Sequence, residues 1–320
     1  MDQYKTLFGP VPSRRLGLSL GIDFFSKKIC SLACVYCEVG PTVQLTAKPD
    51  NFIPADTILS ELEDFFSKGL NTDYLTICGS GEPTLSSELG YLISELKKRY
   101  PEKKVAVITN GTLLHLPEVI DGLLEADLIM PSLDAVSEDI FQKINKPDPD
   151  LNARVMIEST ANLKSVFSGE IWLEILFIRG YNDHQEEIDK LVEAVKIIKP
   201  DRVQLNTLVR PGVLQNIEAL SKIELDSIAA HFPKEYAAEV ITPSDFKTEM
   251  LSDEQVATTI ARRPCSLKDI SGMTGSKESA LAMLDNFRSK KILKEHEINS
   301  VNYYSIYRMT DLSVLKNQTN

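Results

Sequence analysis

Val105-Ala-Val-Ile108, closing on Thr109-Asn110-Gly111, carries no polar residue at alternate positions. A strand with one face in water alternates, so this run reads as a strand buried on both faces, as in a parallel sheet covered by helices. Working outward, the same rhythm recurs. β-like runs lie at Leu18–Phe24, Tyr74–Cys78, Leu128–Leu133, Ile171–Ile178 and Arg202–Leu208. Helical patterns fill the intervals at Ala55–Lys68, Glu88–Tyr100, Leu113–Glu125, Asn152–Phe167 and Gln185–Ile198. In the first of these, Ile58, Leu59, Leu62, Phe65 and Phe66 fall at helical spacing. Strands separated by such helices need crossover connections, which gives the α/β class. Six units over residues 18–210 fall short of the eight that fill about 250 residues in a closed barrel. The expectation is a partial (β/α)6 TIM-like barrel.

After Pro211-Gly212 the rhythm fades. A helical pattern at Lys222–Phe232 and a short run at Ala238–Ile241 precede a polar segment beginning Thr242-Pro-Ser-Asp. Then come helical patterns at Glu254–Arg263, Ser266–Gly272 and Ser276–Lys290, and β-like runs at Ile292–Ile298 and Val301–Tyr307. Three short helices and a hairpin resemble a winged helix. The expected organisation is a barrel over 1–241, a linker over 242–253, a winged-helix-like domain over 254–310 and a flexible tail over 311–320.

The chain has 320 residues, 43% hydrophobic and 25% charged, which excludes collagenous, coiled-coil and largely disordered classes. A net charge of -11 gives no whole-chain reason for nonspecific nucleic-acid binding. The charge is uneven, however. Residues 256–308 hold nine basic side chains against five acidic ones, about +4, with Arg288, Lys290, Lys291 and Lys294 clustered. That cluster suits phosphate contact, or simply a helix C-terminus. The longest mostly apolar stretch, Ile171–Ile178, is far below the roughly 20 residues of a membrane span, and the N-terminus lacks a signal-peptide core. The expectation is a cytoplasmic protein with no membrane partner.

Cys30-Ser-Leu-Ala-Cys34-Val-Tyr-Cys37 holds three of the five cysteines. Thiolates are soft ligands, and three on one loop can hold an iron–sulfur cluster while leaving one iron open. The alternatives are a zinc site or unrelated structural cysteines. Zinc favours paired C-x2-C knuckles or nearby histidines, which this sequence lacks. Cys78 and Cys265 are not obvious fourth ligands.

With Tyr36 before the last cysteine, this loop resembles the signature of the radical S-adenosylmethionine (SAM) superfamily, over roughly residues 8–210. Gly79-Ser80-Gly81-Glu82-Pro83-Thr84 resembles that family's glycine–glutamate motif. The resemblance implies a [4Fe–4S] cluster on Cys30, Cys34 and Cys37, with SAM chelated at the open iron. It also implies cofactor contacts from Tyr36, Ser80, Gly81, Glu82, Asn110, Ser132, Asp134 and Asn206, with Glu82 taking the methionine amino group. These residues fall at strand C-terminal ends, where parallel barrels build their sites. Asn110, Ser132 and Asp134 also fit as helix caps. The implied activity is that of an iron–sulfur oxidoreductase. SAM is cleaved to methionine and a 5′-deoxyadenosyl radical that takes hydrogen from a substrate, with electrons from a donor such as flavodoxin or ferredoxin. More narrowly, Phe8-Gly-Pro-Val-Pro-Ser-Arg-Arg-Leu-Gly17 followed by the cysteines resembles a subgroup related to the wyosine tRNA-modifying synthases. Those are expected to carry a second cluster on N-terminal cysteines, and no cysteine here precedes Cys30.

Other polar residues stay open between substrate contact and structure. Glu174, alone in an apolar strand, needs a partner, with Arg179 a candidate. Arg14, Arg15 and Arg210 suit an anionic substrate or a salt bridge, and Lys27 and Lys28 suit an anionic electron donor. Three functions are in play: RNA modification with the C-terminal module holding the RNA; radical chemistry on a peptide, protein or small metabolite with that module recognising protein; and a redox-sensing transcriptional regulator. A sensor has no use for the SAM-binding residues.

Overall fold

In a computed structural model, describing residues 4–13, 15–236, 238–241, 251–298 and 301–306, the chain opens with two antiparallel strands, β1 (Leu7–Ser13) and β2 (Gly17–Ile22). A short parallel pair, β3 (Ile29–Cys30) and β4 (Gln44–Leu45), lies apart from the main sheet. The sheet continues through β5 (Tyr74–Ile77), β6 (Lys104–Thr109), β7 (Leu128–Pro131), β8 (Glu170–Phe177), β9 (Arg202–Thr207) and β10 (Glu239–Val240). Its order is β1-β2-β5-β6-β7-β8-β9-β10, parallel from β2 onward. Val105, Ala106 and Val107 are all fully buried, as their lack of alternation requires.

The crossovers carry α1 (Ala55–Ser67), α2 (Leu89–Arg99), α3 (Pro117–Leu123), α4 (Glu138–Ile144), α5 (Ala153–Val166) and α6 (Gln185–Ile198). The apolar stripe of α1, Ile58, Leu59, Leu62 and Phe65, is buried in the core under β2, β5 and β6. Helix α7 (Lys222–Ala229) follows β9 and starts on a Ser221–Glu224 capping box. Among the described residues no helix is long and apolar enough to cross a membrane.

The C-terminal module consists of α8 (Asp253–Arg262), β11 (Cys265–Ser266), α9 (Leu267–Thr274), α10 (Lys277–Ser289) and the hairpin β12 (Leu293–Ile298) and β13 (Val301–Ile306), with β11 paired to β13. Capping boxes at Ser252–Gln255 and Ser266–Asp269 begin α8 and α9. The module packs on β1: Val11 joins its apolar core, and Gln255 Nε2 donates to the Gly9 carbonyl at 3.3 Å.

The structure departs from the sequence reading in several short elements, β3, β4 and β11 among them. Leu7–Ser13 is a strand with no counterpart among the expected β-like runs; its prolines bar it from a sheet centre but suit an edge. Helix α4 and the parallel pairing of β10 have no counterpart in the sequence reading, because both elements are short. Arg14, most of the expected linker (242–250), Arg308 and the expected tail (311–320) lie outside the described residues.

Candidate functional site

The cysteine loop leaves β3 and is pinned against the end of α4: Ala33 N donates to Asn145 O and Val35 N to Ile144 O, both at 2.9 Å. Cys30, Cys34 and Cys37 are half-buried. Each sulfur meets a donor. Leu32 N and Asn110 Nδ2 lie 3.5 Å from Cys30 Sγ, Asn145 Nδ2 lies 3.4 Å from Cys34 Sγ, and the Lys28 ammonium contacts Cys37 Sγ. Burial pushes the Cys30 thiol up to about 11 and Cys34 higher still. Thiols so placed ionise beside a cation, and a metal deprotonates them outright. Lys28 is the resident cation. Burial acts to lower its pKa, yet the Cys37, Cys30 and Cys34 sulfurs outweigh that and raise it. With these side chains as they stand, no three of the described His, Cys, Asp and Glu groups converge as metal ligands would. The donor set nevertheless fits thiolates: N–H groups directed at sulfur stabilise and tune iron–sulfur ligands.

The Gly79–Thr84 loop follows β5 and closes on the cysteine loop. Glu82 N donates to Ile29 O at 3.1 Å, and a Cβ on Gly81 would stand 2.2 Å from that same carbonyl. Only glycine admits that approach. Glu82 is buried. Its Oε1 accepts from Thr84 N at 3.0 Å, Thr84 Oγ1 at 2.7 Å and Thr109 Oγ1 at 2.6 Å, and Oε2 accepts from Asn110 N at 2.7 Å. Burial still pushes its carboxyl upward; the hydrogen bonds only partly offset this. Asn110 therefore touches both motifs: its backbone caps Glu82 and its side chain reaches Cys30 and, at 2.8 Å, Ser31. Ser80 is engaged elsewhere, giving its N–H (2.9 Å) and hydroxyl (2.6 Å) to the buried Asp23.

Asp134, past the end of β7, is buried and gathers a second group. Tyr36 Oη donates to it at 2.5 Å, Asn145 Nδ2 at 2.8 Å and Leu176 N at 3.0 Å. Burial raises its pKa against these bonds. Tyr36 and Asp134 thereby anchor the cysteine loop to the sheet. Ser132 bridges to Glu174 through the backbone. Glu174 pairs with Arg15 and accepts from Asn206 Nδ2 at 2.7 Å. The carbonyl oxygens of the Asn206 and Asn145 side chains are buried without a protein partner. Two orphan acceptors, on amides whose nitrogens bond to Asp134 and Glu174, suit a bound molecule that brings donors.

Several expectations need correction. Arg179 is not the partner of Glu174; it pairs with Glu224 at 2.8 Å and Glu218 at 3.7 Å, and Arg15 takes the role. Lys28 is buried against Cys37 rather than offered to an external donor, whereas Lys27 is exposed. Two of the four side chains in the basic cluster of the C-terminal module, Arg288 and Lys294, have partners. Arg288 pairs with Asp285 and Glu295, Lys268 and Lys294 also have partners, and Arg262 is buried against Asp23. Asp23, Lys28, Thr109 and Asn145 belong to the site, and of these only Lys28 drew attention in the sequence. Asn145 and Asp23 each follow an apolar residue with no motif, so no local signal exposed them.

Residues 26–192 match the family model of the Radical SAM superfamily. Over 94% of its length the chain is 30% identical to a UPF0026 protein of Helicobacter pylori, covering 97% of that protein. It is 35% identical to a Brachyspira hyodysenteriae protein described as GTPase Obg, again over 94% of this chain but only 45% of that one. Among solved structures, TYW1 with a bound lysine–pyruvate adduct gives a TM-score of 0.51 at 19% identity, covering 70% of this chain and 74% of that one. A radical SAM methyltransferase from Sphaerobacter thermophilus gives 0.54 at 16% identity, covering 69% and 65%. At those identities the likeness is one of fold.

Proposed function

That this chain belongs to the radical SAM superfamily is the premise from which we propose its function: reductive cleavage of SAM at the cysteine-loop face, followed by hydrogen abstraction from a substrate. The cofactors of this domain are a [4Fe–4S] cluster and SAM. When bound, they supply the electron transfer that breaks the S–C5′ bond and the 5′-deoxyadenosyl radical that takes hydrogen. Cys30, Cys34 and Cys37 hold the cluster, and Leu32, Asn110, Asn145 and Lys28 direct donors at their sulfurs. That set of donors, one or more at each sulfur, is the observation that carries the proposal. Glu82 receives the amino group of SAM; an arriving ammonium draws its carboxyl back to the ionised form that burial disfavours. Tyr36 and Asp134 hold the loop in register. Asn206, with a spare carbonyl oxygen, Ser132, Ser80 and Gly81 complete the cradle. The sheet reads as a partial barrel and the C-terminal module as a winged helix.

Two substrate readings remain. RNA modification is supported by the likeness to wyosine synthases. Chemistry on a small metabolite or peptide is supported by the pairing of two of the module's arginines, Arg262 with Asp23 and Arg288 with Asp285 and Glu295, and it is the one we favour. The test is 5′-deoxyadenosine formation by full-length, anaerobically reconstituted protein with dithionite. We expect stimulation by an RNA-free metabolite fraction. Stimulation by RNA alone would restore the first reading, and no product from fully loaded protein would refute the chemistry.

A further inference from the structure

Past β9 the chain folds back over the cysteine loop. Leu214 N donates to Val35 O at 2.9 Å, and a Cβ on Gly212 would stand 2.5 Å from the Tyr36 carbonyl. Between this segment and Glu297 of β12 lies a cavity of about 410 Å³, walled by Leu208, Leu214 and Ile217 and by Arg179 and Arg210. That volume is in the range of small-molecule sites.

Arg210 is the unusual wall. It is 9% exposed, yet its hydrogen bond among the described residues is a single long one, Nη1 to Glu38 Oε2 at 3.3 Å. Its Nε is buried with no partner. A guanidinium has five N–H donors in a rigid fork that matches carboxylate or phosphate, and leaving such donors buried and unmade is costly. The described residues supply too few acceptors here, so a ligand is the natural source of the rest. The rim argues for a small ligand: Glu218 and Glu297 would repel a polyanion, while one oxyanion reaching the base would meet Arg210.

We infer that this cavity seats the oxyanion end of the substrate, a carboxylate or phosphate, with Arg210 as its clamp and Leu208, Leu214 and Ile217 packing the apolar part. This rests on the reading that the adjoining cysteine-loop face carries the radical chemistry. Glu38 acts as the placeholder that the ligand displaces.

The test measures binding of inorganic phosphate and of acetate to the full-length protein by nuclear magnetic resonance line broadening, comparing wild type with Arg210→Ala, Arg210→Lys and Glu38→Gln. The expected result is binding of at least one probe, weakened about tenfold or more by Arg210→Ala. Arg210→Lys, which keeps charge but not the fork, should fall between. Glu38→Gln should tighten binding by freeing the guanidinium, a gain that an unfolded variant cannot mimic. The probe that responds identifies the oxyanion. Equal binding across all four proteins, or no binding to wild type, overturns the inference. SAM cleavage by wild type is measured separately, so its failure would count against the chemistry and not against the cavity.

Discussion

Arg262 and Arg210 each stand 3.3 Å from a carboxylate oxygen, and there the likeness ends. Arg262, at the end of α8, donates to Lys5 O at 2.8 Å as well as to Asp23, and its guanidinium stacks 5.0 Å above the Phe8 ring. Asp23 in turn takes Ser80 N, Ser80 Oγ and, at 3.0 Å, Phe25 N. Both side chains are almost wholly buried, and each has further hydrogen-bond partners besides the other. Among the described residues Arg210 has one long hydrogen bond, and it lines a cavity. The difference separates a joint from a receptor. The first arrangement is complete in the folded chain and supports the Gly79–Thr84 loop through Ser80; the second is short of acceptors until something arrives.

The largest expected effect comes from breaking the complete joint. Asp23→Ala would leave Arg262 buried and unpaired, at a cost of about 3–5 kcal/mol. Chemical denaturation should show that loss, and Arg262→Ala combined with it should cost clearly less than the two singles added. Additive losses would mean that the pair does not act as one unit. Next comes alkaline pH, which probes the same seam through Cys78. Burial pushes this thiol from 9.0 to about 12, with the Asp23 carboxylate adding to the shift and the nearby arginines opposing it. Because the folded value is the higher one, its contribution is intact below pH 9 and declines as pH rises toward 12. Cys78 keeps some contact with solvent, so the loss should be on the order of 2 kcal/mol. Wild type should therefore lose more stability than Cys78→Ala between those limits, and parallel pH profiles would count against the assignment.

A smaller effect is expected at the receptor. Arg210→Ala should cost about 1 kcal/mol of stability or less in ligand-free protein, since one long bond is all it gives up. A loss as large as that of Asp23→Ala would erase the contrast. Smallest of all, Arg288→Ala removes ion pairs between exposed partners and should leave the midpoint of thermal unfolding within experimental error.

How far the sequence could be read follows the range of each signal. Val105–Ile108 announces a doubly buried strand through its own composition, and Cys30–Cys37 and Gly79–Thr84 announce their chemistry through local spacing. Gln185–Ile198 could be read to the residue because its apolar face repeats without interruption. β1 is not announced by its composition, because Pro10 and Pro12 cannot donate to a sheet ladder, a restriction that edge strands relax. The Glu174 partner escaped for another reason: Arg15 lies 159 residues away, and no local pattern distinguishes it from Arg179. Asp23 and Asn145 show the same limit. Each serves the site through tertiary contacts to residues far along the chain; Asp23 stands alone among apolar residues, and Asn145 is one polar residue among several. The positive charge of the C-terminal module was countable in advance, but the pairing of Arg262 with Asp23, and of Arg288 with Asp285 and Glu295, depends on folding.

The most direct measurement is electron paramagnetic resonance of the reduced, anaerobically reconstituted protein, with iron and sulfide analysis, before and after adding SAM. The account expects about four irons and four sulfides per chain, a reduced-cluster signal that shifts when SAM binds the open iron, and loss of both in Cys34→Ala. Full cluster content in Cys34→Ala, or a wild-type signal indifferent to SAM, would contradict it.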